Sequence, residues 1–449
     1  MRRKDTTMKI YLAKLNFHLK YRMVKLICKF VVASLCFALI CSVPCSANQD
    51  ETYKKRAIEA FKNEDYNTAI GILKEAVKAG HKDAETYYYL GYFSHYLSFD
   101  TRPFVTIDHL SWSDSVVWYL EEALRYDAEY GDAYYFLGTE YSSRAWFALY
   151  EQNVNRFIQE YTTGHAKGGF PEWQLEFGRN ILHSCEEDAI LFLGGDFDYN
   201  AVKYLQAIEK FRTDVSAIPI GYLDRPWYIK TLKNGLDPII RSVPISLSEY
   251  DIYDIRNYKW DTLDLKIPIY DKIIQQYGLE SDHIFIWSLE PDLLSENRTY
   301  LSPRRAILAD IIEANNWQRP MHFAMGCAPQ YLAGLDVFFQ INGMTSKLLP
   351  FETHNTSFGI DHEKTSKVMM DKNNFVNFHS IETSDMPRVS RVMRNYYVAL
   401  IELADYYFNK NQYNEIGEII EFIETNLVTT KIDYQIFIDY INEHYLSSN

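Results

Sequence analysis

The chain has 449 residues with 47% hydrophobic and 16% aromatic content, including 36 Tyr, enough to fill two or three cores of about 100–200 residues each. That composition excludes a disordered chain. The formal net charge is −14, which argues against nucleic acid and anionic membrane surfaces as partners, because counterion release needs a basic patch.

The first 47 residues differ from the rest. Lys25 and Lys29 precede an apolar run over 30–43, and Cys45-Ser46-Ala47 supplies small residues, the pattern of a cleavable secretory signal. The run is too short for a membrane span of about 20 residues. Residues 1–22 are long and polar for the region that precedes such a run, so translation is expected to start at Met23. Pro44 before Cys45 and Ile40 before Cys41 disfavour lipidation, and retention as an uncleaved anchor is the remaining alternative. A secreted or periplasmic protein is expected, touching a membrane only through an uncleaved signal. Removal of 1–47 takes away nine Lys/Arg and one acid, leaving 37 basic against 59 acidic residues and a net charge of −22. Of the six Cys, Cys185 and Cys327 then remain, as one disulfide or as two buried thiols.

Residues 48–164 read as helical repeats. The octets at 84–91 (AETYYYLG) and 131–138 (GDAYYFLG) share a Leu-Gly end and resemble the first helix of a tetratricopeptide repeat, with its period of about 34 residues. Ala69, Leu73 and Ala76, and again Val116, Leu120 and Ala123, fall at second-helix offsets, where small residues let paired helices approach. Three repeat-like units are expected, the second carrying an insertion at 99–113.

The turn-rich connector 164–171 leads to an α/β domain over 172–352. An apolar run at 189–193, Gly194-Gly195, a helix over 201–211 and a second run at 215–220 make a βαβ unit with two parallel strands. Ligands bind at the carboxyl ends of such strands, and there stand Asp196 and Asp198. They either share a divalent cation or a sugar hydroxyl, or one of them caps the following helix. Arg212 and Asp214 are expected to pair and fix the next turn. Further on, 239–247 reads as an edge strand, 251–266 as loop with short strands, 283–289 as a buried strand, and Ser302-Pro303 as the start of a helix to 315. A polar loop is expected over 353–384, and tetratricopeptide-like helices over 385–449, ending in a cap at 434–446. The fold class is α+β multidomain: an α-solenoid, a central α/β domain with a partly parallel sheet, and a C-terminal helical pair.

The stretch 195–215 (GDFDYNAVKYLQAIEKFRTDV), then Pro226-Trp227-Tyr228-Ile229, 307–324 (ILADIIEANNWQRPMHFA) and 335–350 together resemble the soluble extracytoplasmic segment of a bacterial membrane-protein family related to protein O-mannosyltransferases. The resemblance covers roughly two-fifths of the chain. Phe197 stands where that family usually has Asn, and Tyr199 where it usually has Thr, which weakens a polar ligand role for the turn. In that family glycosyl transfer belongs to the membrane-embedded region, so the resemblance implies an accessory protein of glycosylation rather than an enzyme.

No H-E-x-x-H, G-x-x-x-x-G-K, G-x-S-x-G or paired C-x-x-C occurs. Candidate ligand-binding residues are Asp196 and Asp198, which are also the metal candidates, Trp227 and Tyr228 as a stacking platform for a sugar, and Arg319 and His322 as a cation and an imidazole at a strand end. Trp227 and His322 have core roles as their competing readings. No resident cofactor is expected beyond a divalent cation. The leading expectation is a non-catalytic scaffold with a protein or peptide partner on the repeats and a glycan at the α/β domain. The alternative is a metal-assisted transferase or hydrolase using Asp196 and Asp198, with Arg319 or His322 nearby, and a third reading makes the α/β domain an inert relic packed on the solenoid. Convergence of Asp196, Asp198, Trp227, Arg319 and His322 in one cleft would favour ligand binding, and dispersal the relic.

Overall fold

The computed structural model describes residues 49–101, 109–295, 297–354, 356, 358–377, 381, 386–427, 439 and 443. The expected signal (1–47), part of the 99–113 insertion and all of the expected cap at 434–446 except 439 and 443 lie outside them. Helices α1 (Gln49–Lys62), α2 (Tyr66–Lys78), α3 (Ala84–Thr101), α4 (His109–Tyr126), α5 (Gly131–Tyr150) and α6 (Val154–Ala166) each pack on the next in the chain. The two octets open α3 and α5. Ala69, Leu73, Val116, Leu120 and Ala123 are fully buried and Ala76 is nearly so, which is the close packing their small-residue spacing predicts. A Cβ on Gly91 would lie 2.7 Å from the Leu120 side chain, and one on Gly138 would lie 2.7 Å from the Phe170 amide nitrogen.

The obstacle at Gly138 is backbone, which cannot rotate away. Gly138→Ala is therefore expected to cost about 1–3 kcal/mol, the usual range for overpacking, read as a lower urea midpoint at unchanged slope. A neutral result would mean that the connector at Phe170 yields freely.

Helix α7 (Glu172–Ser184) leads into the central sheet. Strands β1 (Ile190–Leu193), α8 (Asp196–Ala207) and β2 (Ser216–Pro219) form the expected βαβ unit, with Ile190 opposite Ser216 and Leu193 opposite Pro219 in parallel register. Helix α9 (Pro226–Asn234) and α10 (Glu249–Tyr253) follow, then β3 (Tyr258–Lys259), β4 (Leu263–Pro268), α11 (Asp271–Tyr277), β5 (Ile284–Leu289), β6 (Leu293–Ser295) and β7 (Arg298–Leu301). Helix α12 (Pro303–Asn315) returns the chain to β8 (Met321–Ala324), and after α13 (Pro329–Leu332) come β9 (Phe339–Asn342) and β10 (Thr345–Leu348). The main sheet has the order β2-β1-β8-β10-β9, with β2, β1 and β8 parallel and the last two strands antiparallel. The parallel strands are buried along their whole length, as strands covered on both faces must be. Smaller sheets are β3-β7-β6 and β4-β5.

Ser302 caps α12 by accepting from the Arg305 amide, with Pro303 at its first position, and Arg212 pairs with Asp214 at 2.8 Å while donating to the Leu182, Cys185 and Glu186 carbonyls. Three expectations need correction. Residues 239–247 form no strand beyond one bridge between Leu236 and Ile240, because Val243 donates to Leu232 at the end of α9 instead. Strand β5 is buried on one face only: Phe285 packs on Trp317 and Phe338 and Trp287 donates to the Ala333 carbonyl, while Ile284 and Ile286 on the opposite face are about half exposed. The polar stretch after 353 holds helix α14 (His362–Met369), capped by Asp361 and packed on α7 and β9. The C-terminal pair is present as α15 (Met386–Asn409) and α16 (Tyr413–Phe422). One continuous buried cluster runs from Ala57 through the sheet to Leu427. Among the described residues no helix is long and apolar enough to cross a membrane.

Candidate functional site at the carboxyl edge of the parallel strands

From β1 the chain crosses to β2 on one side, and it later returns to β8 on the other, so the connections diverge between β1 and β8. That divergence is where open α/β sheets make their ligand crevice. Here two glycine turns close it. A Cβ on Gly194, after β1, would lie 2.6 Å from the Gly326 carbonyl and 2.9 Å from Cys327 Cα, after β8. Cys327 is a free, buried thiol, pushed well up by burial and then by the Asp198 charge.

The helix begins at Gly195, which is its N-cap without a side-chain bond, so Asp196 and Asp198 both lie in the first turn and neither is the cap. Carboxylates are favourable there beside the helix dipole. Residues two apart on a helix do not face each other, so the pair diverges: Asp198 is 4% exposed with its carboxylate against Gly326, while Asp196 stays half-buried. Among the described residues no group of three or more His, Cys, Asp or Glu is placed to hold a metal.

The helical array covers the same edge. Ser142 on α5 donates to Asn200 Oδ1 (2.6 Å) and lies 2.9 Å from the Tyr161 hydroxyl on α6. Trp146 stacks on Tyr222 with centroids 4.0 Å apart, and meets Tyr199 at 5.1 Å and Tyr228 at 5.2 Å. Burial pushes the Tyr199 and Tyr228 hydroxyls well up, and both are buried without a hydrogen-bond partner. Tyr228 is therefore core, and Trp227 is half-buried with its edge against Tyr150. Phe197 packs on Tyr135, Trp173 and Phe177. Where the O-mannosyltransferase-like pattern has Asn and Thr, this chain thus places aromatic rings that join the α/β unit to its helices.

Arg319 and His322 lie at the other end of the strands. Arg319 donates to the Asp188 (2.7 Å) and Ser242 (2.9 Å) carbonyls and to Ser216 Oγ (2.7 Å), tying the starts of β1 and β2 together. His322 is fully buried between Thr345 Oγ1, 2.9 Å from Nδ1, and the Glu186 carboxylate at Nε2. Lys347 pairs with the same carboxylate at 2.7 Å. Burial pushes the His322 imidazole down, against the pull of Glu186. Burial also raises the Glu186 carboxyl, but His322 and Lys347 outweigh it and hold that group well below the usual range. The six candidates thus divide between two ends of the sheet. Glu186 and Lys347 carry no motif in the sequence. They meet through strand register, which sets Lys347 opposite His322.

The edge stays open farther out, beside Ile220 at the end of β2. A cleft of about 220 Å³ lies there, lined among others by Asp292, Arg304, Arg305 and Tyr331. One signal for it exists in the sequence: two arginines in the first turn of α12, where the helix dipole disfavours cations.

Comparison with known proteins bears on the α/β unit. Residues 174–259 and 262–372 match the family model described as TMEM260-associated domain 2. The protein O-mannosyl-transferase TMEM260 of Mus musculus is 27% identical over 124 residues, which is 25% of this chain and 17% of that relative. No solved structure matches. The two matches support a relation of this part of the chain to the O-mannosyltransferase-like family.

Proposed function

We propose that the protein is a secreted or periplasmic scaffold or binding protein, accessory to protein glycosylation or to cell-envelope glycan handling. Its helices α1–α6 act as a tetratricopeptide-like solenoid for a protein or peptide partner, and its α/β unit does no chemistry of its own. The observation that carries this reading is the filled crevice. The Gly194 and Gly326 turns close it, and Ser142, Trp146 and Tyr161 of the helices cover it. An edge used as a joint leaves no room for reacting groups, whereas a joint is what a scaffold needs to hold two modules in fixed relation.

A second reading, a metal-assisted transferase or hydrolase at the Asp196/Asp198 turn, rests on Asp196, which is half-buried in the first turn of α8. The two separate in thermal midpoints of the full chain with and without Mg²⁺, Mn²⁺ or Ca²⁺. The scaffold reading expects wild type and Asp196→Asn to respond alike. A cation bound at Asp196 and present at 100 times its Kd would stabilise by about 2.7 kcal/mol, and a shift of that size lost in Asp196→Asn would favour the enzyme.

A further inference from the structure

We propose that the cleft beside Ile220 binds a single pyranose ring of a glycan, an inference that rests on the glycosylation-linked reading and gives that reading a site. Its volume of about 220 Å³ is below the 300–1,000 Å³ of pockets for drug-sized ligands, so it admits one ring. Exposed Leu293 and the half-buried Tyr331 ring, backed by buried Ile220 and Leu308, offer an apolar surface for the C–H face of a sugar.

The polar groups around that surface are already oriented by protein contacts. Arg304 stacks over Tyr331 at 5.2 Å and is held by the Asp224 carboxylate at 3.1 Å, with its Nε buried and lacking an acceptor. Arg305 donates to the Glu290 (2.9 Å) and Gln330 (3.0 Å) carbonyls. Asp292 accepts from the Ser302 amide (2.7 Å) and hydroxyl (2.6 Å). Planar donors and acceptors fixed around an aromatic face match the vicinal hydroxyls and apolar face of a pyranose. The charges decide against an anion. The carboxylate of Asp292 already occupies the amino end of α12, where a phosphate would otherwise bind, and Asp224 offsets Arg304, so the cleft suits a neutral ligand.

Saturation-transfer NMR on the full chain, with methyl glycosides of mannose, glucose, galactose and N-acetylglucosamine, tests this. At least one glycoside is expected to bind saturably. Tyr331→Ala and Arg304→Gln, each with an unchanged thermal midpoint, are expected to weaken it about tenfold or more, and Asp196→Asn to leave it unaltered. Absence of binding by all four overturns the site, as does displacement of the glycoside by inorganic phosphate. Loss of binding in Asp196→Asn with Tyr331→Ala unaffected also overturns the cleft, but it moves the sugar to the β1 turn and leaves the glycan-linked reading standing.

Discussion

Arg388→Met is expected to destabilise the protein by about 1–3 kcal/mol, the usual cost of leaving a buried polar group without its partner. Arg388, on α15, donates from Nε to Asp132 Oδ1 at 2.9 Å, and its guanidinium lies 5.0 Å from the Tyr135 ring and 4.8 Å from that of Phe136. Asp132 is 7% exposed and also accepts from the Tyr88 hydroxyl. Without the arginine that carboxylate stays buried with one neutral donor, and the C-terminal pair loses its anchor on the octet helices. Arg388→Met with Asp132→Asn should recover part of the loss, because the orphaned charge is gone. Urea unfolding of the two variants gives the comparison, and a single-variant loss under about 1 kcal/mol would contradict the anchor.

The second large effect depends on pH. Lys203 on α8 is 2% exposed and donates to the Ile239 carbonyl at 2.6 Å and to Gln206 Oε1 at 3.3 Å. Burial pushes its amine down to about 7 from the ordinary 10.5. Between those values the unfolded chain holds one proton more than the folded chain, so stability rises with pH, by up to about 1.4 kcal/mol per unit. Below pH 7 the amine is charged in both states and the increment is absent. The stability of wild type relative to Lys203→Met should thus grow by about 2 kcal/mol from pH 7 to 9. The difference between the variants cancels the other titrating groups. A difference that stays flat would mean that the amine remains charged inside the fold.

What the sequence reveals follows from how local its causes are. The βαβ unit is legible because 189–193 and 215–220 are short apolar runs flanking one helical period. The octets are legible because Gly91 and Gly138 mark close approaches. The C-terminal pair is legible because the helical period returns over 385–449. The start of α8 is not. Asp196, Asp198 and Asn200 are weak helix formers, so the stretch before 201 reads as a turn, yet burial of Phe197 and Tyr199 against the helices draws it into the helix. That shift places both carboxylates in the first turn of α8. The division of candidates between sheet ends is equally hidden, because Arg319 precedes its strand while Asp196 follows one, and chain order alone does not show that β1 and β8 are parallel neighbours.

The joint at the carboxyl edge is tested most directly by amide hydrogen exchange over 194–200 and 325–328 in the full chain, with and without a divalent cation. A packed joint predicts protection near that of the β1 amides, unchanged by the cation. Exchange at the rate of an open loop, slowed when the cation is added, would contradict it and would put a working site at Asp196.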